Sequence, residues 1–394
     1  MGILTYTVFF LEVGILNYLN FRIYQTMVNP IACLSIPFTV VLLVCLLFNS
    51  PMDFVPFHHE ALWIWIAGLF FFGLPGLFSL RRGLSKGVPM KQNTIIVKCI
   101  VGLCFLYMFT QLGSLDDIDF GSKEMGEEVG MGGIKGRIAN ILLATSPLMM
   151  CARYNKILKC FLIVSIFYFL FALGSKTYNL YAVATCFFCL YKQKMVKINL
   201  WYVLYFLIGG FLIFGVYYTL KIEIENLSNL WEFISRHFYF YLTSGLLPMS
   251  EYVHRRVHAT EEFVLPFINI VNIWLGNPGA SVHSSLWFTT DNFLGTPSNV
   301  FTFFGTLYIC NNWFMFALYS FIFGLLSYSI HRLSVRKDNL FFHAMNGYNL
   351  CVLFFGWFNC SYALPRIWEF FLILPFFYFI SLVPKIGNKA SCSQ

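Results

Sequence analysis

Charge is what this chain has least of. Asp, Glu, Lys and Arg together make up 11% of its 394 residues, where a water-facing domain carries about 25%. So few ionised groups cannot build a soluble surface, which excludes soluble enzymes, secreted disulfide scaffolds and disordered tails. Catalytic signatures are scarce as well. There is no H-E-x-x-H, no H-x-x-x-x-D pair and no glycine-rich phosphate loop ending in Lys-Ser/Thr. No Rossmann-like segment and no internal repeat suggesting the inverted halves of many transporters are visible. The N-terminus lacks the basic n-region of a cleaved signal, so its first apolar run is expected to be a retained span. No cofactor, no resident metal and no nucleic-acid partner are expected.

What is present is apolar: 58% hydrophobic and 20% aromatic residues, with a mean hydropathy of +0.70. Nearly all the cysteines, Cys33, Cys45, Cys99, Cys104, Cys160 and Cys351 among them, lie inside apolar runs and read as small hydrophobes. Cys186 and Cys189 form a C-x-x-C mid-span among Phe and Leu, and are read the same way. A bilayer core about 30 Å thick needs about 20 apolar residues per helix. Segments near 1–19, 30–48, 61–80, 95–113, 136–152, 158–174, 177–191, 200–219, 310–330, 341–360 and 367–384 meet or approach that length. The expected fold class is therefore an all-α polytopic integral membrane protein with about eleven transmembrane helices, 158–191 being a tight hairpin of two short ones.

Short cytoplasmic loops collect Lys and Arg. Arg22, then Arg81, Arg82, Lys86 and Lys91, then Arg153, Lys156 and Lys159, then Lys192, Lys194 and Lys197, then Arg332, Arg336 and Lys337, and finally Lys385 and Lys389 fall in alternate connections. Asp338 is the acidic residue among them. This alternation puts the N-terminus outside and the C-terminus in the cytoplasm. It also places two hydrophilic segments outside: the acidic, glycine-rich loop 114–135 and the long aromatic loop 220–309. Within the latter, Phe263 to Leu275 is apolar but only about 13 residues long, which is too short to span and reads as interfacial or re-entrant. Three regions are expected: an N-terminal bundle of about eight helices over 1–219, a membrane-lying outer loop over 220–309, and C-terminal helices with a tail over 310–394.

Basic residues on the outer side are the informative ones, because orientation gives no reason for them. A ligand of fixed negative charge at the outer surface does, since the planar guanidinium fork matches phosphate oxygens. Arg236-His237 follow Glu232, so Arg236 is either an i, i+4 ion pair or an anion-binding arginine beside a titratable histidine. Shortly after Glu251, the residues His254, Arg255, Arg256 and His258 put four basic or titratable groups within five residues, the densest such cluster in the chain. One Glu cannot neutralise two adjacent Arg, and this favours an anion site. Lys176 at the hairpin tip and Arg366 after Pro365 are equally readable as snorkelling or ligand-contacting residues. Arg137 reads first as an interfacial anchor. Asp117 and Asp119 form a D-x-D that can hold a divalent cation, a pattern that arises easily in an acidic loop. Glu12 and Glu369 are carboxylates near span ends, and His58-His59 sits in a short outer loop with nothing to mark it as a site.

Several of these features resemble the O-antigen polymerases, the Wzy-type polymerases of lipid-linked oligosaccharide repeat units. The layout of many spans, little charge and a large outer loop between later spans is similar. So are Asn29-Pro30 opening an early span, the turn Gly174-Ser175-Lys176-Thr177, and the segment Asn299 to Tyr308 after the big loop. Lys176 stands where the family commonly has Arg, and Asn311-Asn312-Trp313 replaces a frequent Asp-Phe-Gly. The resemblance implies a glycosyltransferase of GT-C-like architecture in the bacterial inner membrane. Its substrate would be an undecaprenyl-pyrophosphate-linked oligosaccharide, its surroundings membrane lipid, and a chain-length regulator a further partner. It would assign Arg236, Arg255 and Arg256, with Lys176 and Arg366 second, to the pyrophosphate. His237, His258 and Glu251 would be the candidates for general base, and Tyr239, Tyr241, Trp274 and Trp287 for stacking on sugar rings or forming an interfacial belt. The alternatives are an O-antigen ligase and a flippase of the same lipid-linked glycan. The flippase would need mid-span charge, of which Lys98 is nearly the sole example.

Overall fold

The computed structural model describes residues 2–78, 95–112, 133–151, 176–197, 227–257, 300–337 and 339–382, together with isolated positions between 157 and 298. The described chain is mostly helical. In order come α1 (Gly2–Tyr24), α2 (Pro30–Phe48), α3 (Leu62–Leu77), α4 (Ile95–Leu112), α5 (Gly133–Cys151), α6 (Lys176–Lys192), α7 (Leu227–Thr243) and α8 (Leu246–Arg255). They are followed by α9 (Phe303–Ile309), α10 (Trp313–Arg336), α11 (Leu340–Phe354) and α12 (Pro365–Ser381). Between α8 and α9, two-residue strands β1 (Phe288–Thr289) and β2 (Pro297–Ser298) pair antiparallel. Among the described residues, four segments are able by length and composition to cross a membrane: α1, α2, α3 with its preceding turn, and α10. Shorter apolar helices lie within α4, α5, α6 and α12. The molecule thus has the character of an all-α, membrane-embedded protein.

Helix ends follow the expected spans with local differences. α1 continues to Tyr24 and carries Arg22 in its last turn, where the helix dipole favours a cation. α11 stops at Phe354, and the chain continues through short 3-10 turns at Phe355–Trp357 and Ser361–Ala363. The expected spans 158–174 and 200–219 fall, apart from a few single positions, outside the described residues, as does the loop around Asp117 and Asp119.

Two compact units are interleaved along the chain rather than consecutive. The first comprises Met1–Gly83, Ile198–His331 and Asn349–Pro365. Its helix directions can be read from side-chain contacts. The Tyr24 hydroxyl donates to the Gly76 carbonyl at 3.5 Å, Tyr24 stacks on Tyr328, and the Tyr328 hydroxyl donates to Asn20 Oδ1 at 2.7 Å. These contacts gather the C-terminal ends of α1, α3 and α10, so the three helices run in one direction. Asn17 Nδ2 donates to Ser35 Oγ at 2.9 Å, joining the end of α1 to the start of α2, which runs oppositely.

The core of this unit is aromatic. Trp65 is fully buried, stacks on Phe38 at 3.5 Å and meets Phe304 edge-on. Its indole N–H would be stranded in such a place. Thr302 Oγ1 accepts from it at 3.1 Å and also caps α9 by accepting from Gly305 N. Asn29 caps α2 in the same way, with Oδ1 accepting from Ala32 N at 3.0 Å and Pro30 pre-setting the first helical turn.

The second unit comprises Leu84–Lys197, Arg332–Tyr348 and Arg366–Gln394. Tyr348 stacks on Phe370 at 4.8 Å and its hydroxyl donates to the Leu143 carbonyl. Glu369, on α12, accepts from Arg137 and Asn140 on α5. Cys186 and Cys189 are buried in α6, and the Cys186 thiol lies 3.8 Å from Ser146 Oγ. They pack as small apolar groups, in line with the sequence.

Candidate functional site

In the first unit, the segment between α2 and α3 meets α7 and α8, and the polar groups of all three interlock there. α7 is held to this segment at two places. Tyr239, 5% exposed, donates its hydroxyl to Asn49 Oδ1 at 2.5 Å and packs its ring edge-on against Phe54. Burial pushes the Tyr239 phenol well above its ordinary range. Arg236 donates through Nε to Glu232 at 3.1 Å and through Nη1 to the Met52 carbonyl at 2.8 Å.

Gly245 separates α7 from α8. A β-carbon there would collide with the carbonyls of Trp357 and Phe358, so the close approach admits no larger residue. α8 is capped at Arg256, whose left-handed φ of 52° turns the chain so that the Val257 N–H reaches the Tyr252 carbonyl at 3.3 Å.

α8 supplies the centre of the site. Ser250 Oγ accepts from the His58 backbone N–H at 2.6 Å, fixing this turn against the helix. Glu251 is buried, yet its two oxygens are both engaged: Oε1 lies 3.1 Å from His58 Nε2, and Oε2 accepts from Arg255 Nε at 2.8 Å. The His58 ring stacks on that of His254 at 3.7 Å with an interplanar angle of 4°. His254 Nδ1 in turn lies 3.6 Å from Glu60 Oε2. Arg255 is largely exposed, its guanidinium 5.7 Å from the Phe288 ring centroid. With Nε held by Glu251, among the described residues its terminal nitrogens donate to no protein acceptor. Arg256 beside it is exposed. The arrangement is a buried carboxylate that orients one imidazole and one outward-facing guanidinium, with a second imidazole and a second carboxylate at the rim. Such a surface can grip an anion through the guanidinium and offer nitrogen and oxygen lone pairs beside it.

The structure therefore brings Glu251, Arg255 and Arg256 together and sets Arg236 and Tyr239 a short way along α7. Arg236 spends its Nε and one Nη1 bond within the protein and its side chain is only 15% exposed. Tyr239 is so deeply buried that it has little ring surface to offer a sugar, whereas Tyr241 is exposed. His237 stacks on Phe233 with centroids 4.0 Å apart. Lys176 begins α6 and Arg366 lies in the first turn of α12, in the second unit, and their side chains are outside the described positions. His258, Trp274 and Trp287 are also outside them. The residues the sequence did not single out are His58 and Glu60. They lie almost two hundred positions from α8, and only their adjacency in a short loop was visible.

A family model described as "Family of unknown function (DUF6337)" matches residues 53–386, and the chain belongs to that family. No curated protein and no solved structure matches the chain.

Proposed function

We propose that this DUF6337 member polymerises lipid-linked oligosaccharide repeat units at the outer face of the bacterial inner membrane. The observation that carries the reading is Arg255. It is clamped through Nε to the buried Glu251, so its terminal N–H groups face outward beside Arg256. Two cations in the last turn of a helix and just beyond it are also what the helix dipole favours. A dipole does not, however, require a buried carboxylate to aim one of them.

In the proposed reaction, a hydroxyl of one carrier-linked repeat unit attacks the anomeric carbon of the glycan on a second carrier. The bond from that carbon to the pyrophosphate oxygen breaks, and undecaprenyl pyrophosphate leaves with the electron pair. Arg255 and Arg256 stabilise the charge that develops on it. The hydroxyl proton passes to a side-chain base, for which His237 and His258 are the candidates. Glu251 positions Arg255 and His58.

The proposed topology has eleven spans, a GT-C-like arrangement, an outer N-terminus and a cytoplasmic C-terminus. Supporting it, α3 and α10 run in the same direction, which for two spanning helices requires an odd number of crossings between them. The eleven-span scheme puts five there: α4, α5 and α6, plus 158–174 and 200–219. Supporting it too, the segments around His58 and Arg255, both assigned to the outside, touch each other.

The test is to replace Arg255 and Arg256 with Ala, singly and together, in the native host and to resolve the surface glycan by gel. The expected result is loss of the long-chain ladder with single capped repeats retained and protein levels unchanged. Loss of the capped repeat as well would indicate a flippase, and an unchanged ladder in the double variant would remove both residues from the reaction.

A further inference from the structure

We infer that His58, Glu60 and His254 form a binding site for one divalent transition-metal ion, zinc being the ion its donors suit. The inference goes beyond the proposed polymerase activity and stands without it. One ring nitrogen from each histidine and a carboxylate oxygen of Glu60 lie within 4.8 Å of one another. The His58 and His254 rings lie parallel at 3.7 Å, so binding requires them to turn until both ring planes meet the ion, at the bond lengths of about 2.0–2.2 Å that zinc makes with nitrogen and oxygen.

Two further observations favour an ion over a chance grouping. His58 is already oriented, with its backbone N–H on Ser250 Oγ and its Nε2 at 3.1 Å from the buried Glu251 carboxylate. A carboxylate holding a ring nitrogen of a metal-binding histidine is the usual outer-shell partner, fixing the ring and raising its basicity. Lastly, the third ligand comes from a different element. His58 and Glu60 precede α3 while His254 sits at the end of α8, so an ion would clamp two helices whose other contacts already align them.

The donor set decides the ion class. Calcium and magnesium take oxygen ligands, whereas two imidazoles and one carboxylate suit zinc or a neighbouring first-row ion. Three protein ligands also leave a fourth position for water or an anionic oxygen, as in zinc sites that do chemistry.

The experiment uses the full-length protein, purified in detergent on a tag free of histidine, stripped with a chelator and titrated with zinc chloride against a chromogenic competitor. Bound metal is counted by mass spectrometry, and cobalt(II) substitution reports coordination through its visible absorption. The expected result is one zinc per chain and a four-coordinate cobalt spectrum. His254→Ala and Glu60→Gln should each weaken zinc binding at least about tenfold, while His59→Ala should leave it unchanged. Both substituted side chains are about half exposed, at 51% and 53%, so their loss does not threaten folding. Stoichiometry far below one per chain, or affinity unaltered in both His254→Ala and Glu60→Gln, would overturn the inference.

Discussion

Two arginines on adjacent helices show how burial sorts residues that look alike in sequence. Arg236 and Arg255 each follow a glutamate by four positions and each makes the expected ion pair. In the first pair the guanidinium is 15% exposed and the glutamate 56%; in the second the order is reversed, at 60% and 7%. Arg236 is thus a fastener that ties α7 to Met52, while Glu251 is the fastener for Arg255. Glu251→Ala should therefore destabilise the protein by about 1–3 kcal/mol, towards the lower end because solvent screens Arg255. Glu232→Ala should change stability by no more than about 0.5 kcal/mol. Thermal unfolding in detergent compares the two directly.

Tyr239 gives a second test at this scale. Its phenol is raised by burial in the folded protein, so between the unfolded value near 10 and the higher folded value the native state holds a proton the unfolded chain has lost. Stability from this group is complete below about pH 10 and falls as pH rises beyond it. Tyr239→Phe should flatten that alkaline decline in denaturation curves.

At the scale of elements, the helix starts are where sequence and packing meet. Asn29-Pro30 is a local signal and works locally, and Asn29→Ala should cost about 1 kcal/mol through the lost cap of α2. Thr302 does more than its sequence context reveals. It caps α9 and also accepts the buried Trp65 N–H from a helix 237 positions away in the chain. Thr302→Val should lose the cap and strand the indole, for a combined loss of about 2–4 kcal/mol, while Trp65→Phe in that background should recover part of it. Glycines make another such meeting. A β-carbon on Gly324 of α10 would strike the Phe72 carbonyl on α3, so these helices touch backbone to backbone, as small residues permit between apolar helices.

At the scale of the molecule, the shared direction of α1, α3 and α10 makes a prediction that does not depend on function. Reporters inserted after Tyr24 and after Lys337 should read the same compartment, expected to be the cytoplasm. A reporter after Arg256 should read the opposite one. Agreement between the first and third would break the crossing parity on which the eleven-span scheme depends. Because the units are interleaved, neither of the expected regions 1–219 and 310–394 contains a complete unit.

Membrane character, the apolar segments and their approximate limits could all be read from the amino-acid order alone, because the length and hydropathy of a run are local properties that a bilayer selects directly. So could the density of cations at the end of α8, since Arg255 and Arg256 are neighbours in the chain. The partners of those cations could not. His58 meets Glu251 across 193 positions, and nothing in either stretch distinguishes that pairing from the i, i+4 alternatives. Only the tertiary structure buries one carboxylate and exposes another, and only it stacks two histidines from separate segments, because such contacts depend on how helices cross rather than on what any one of them contains.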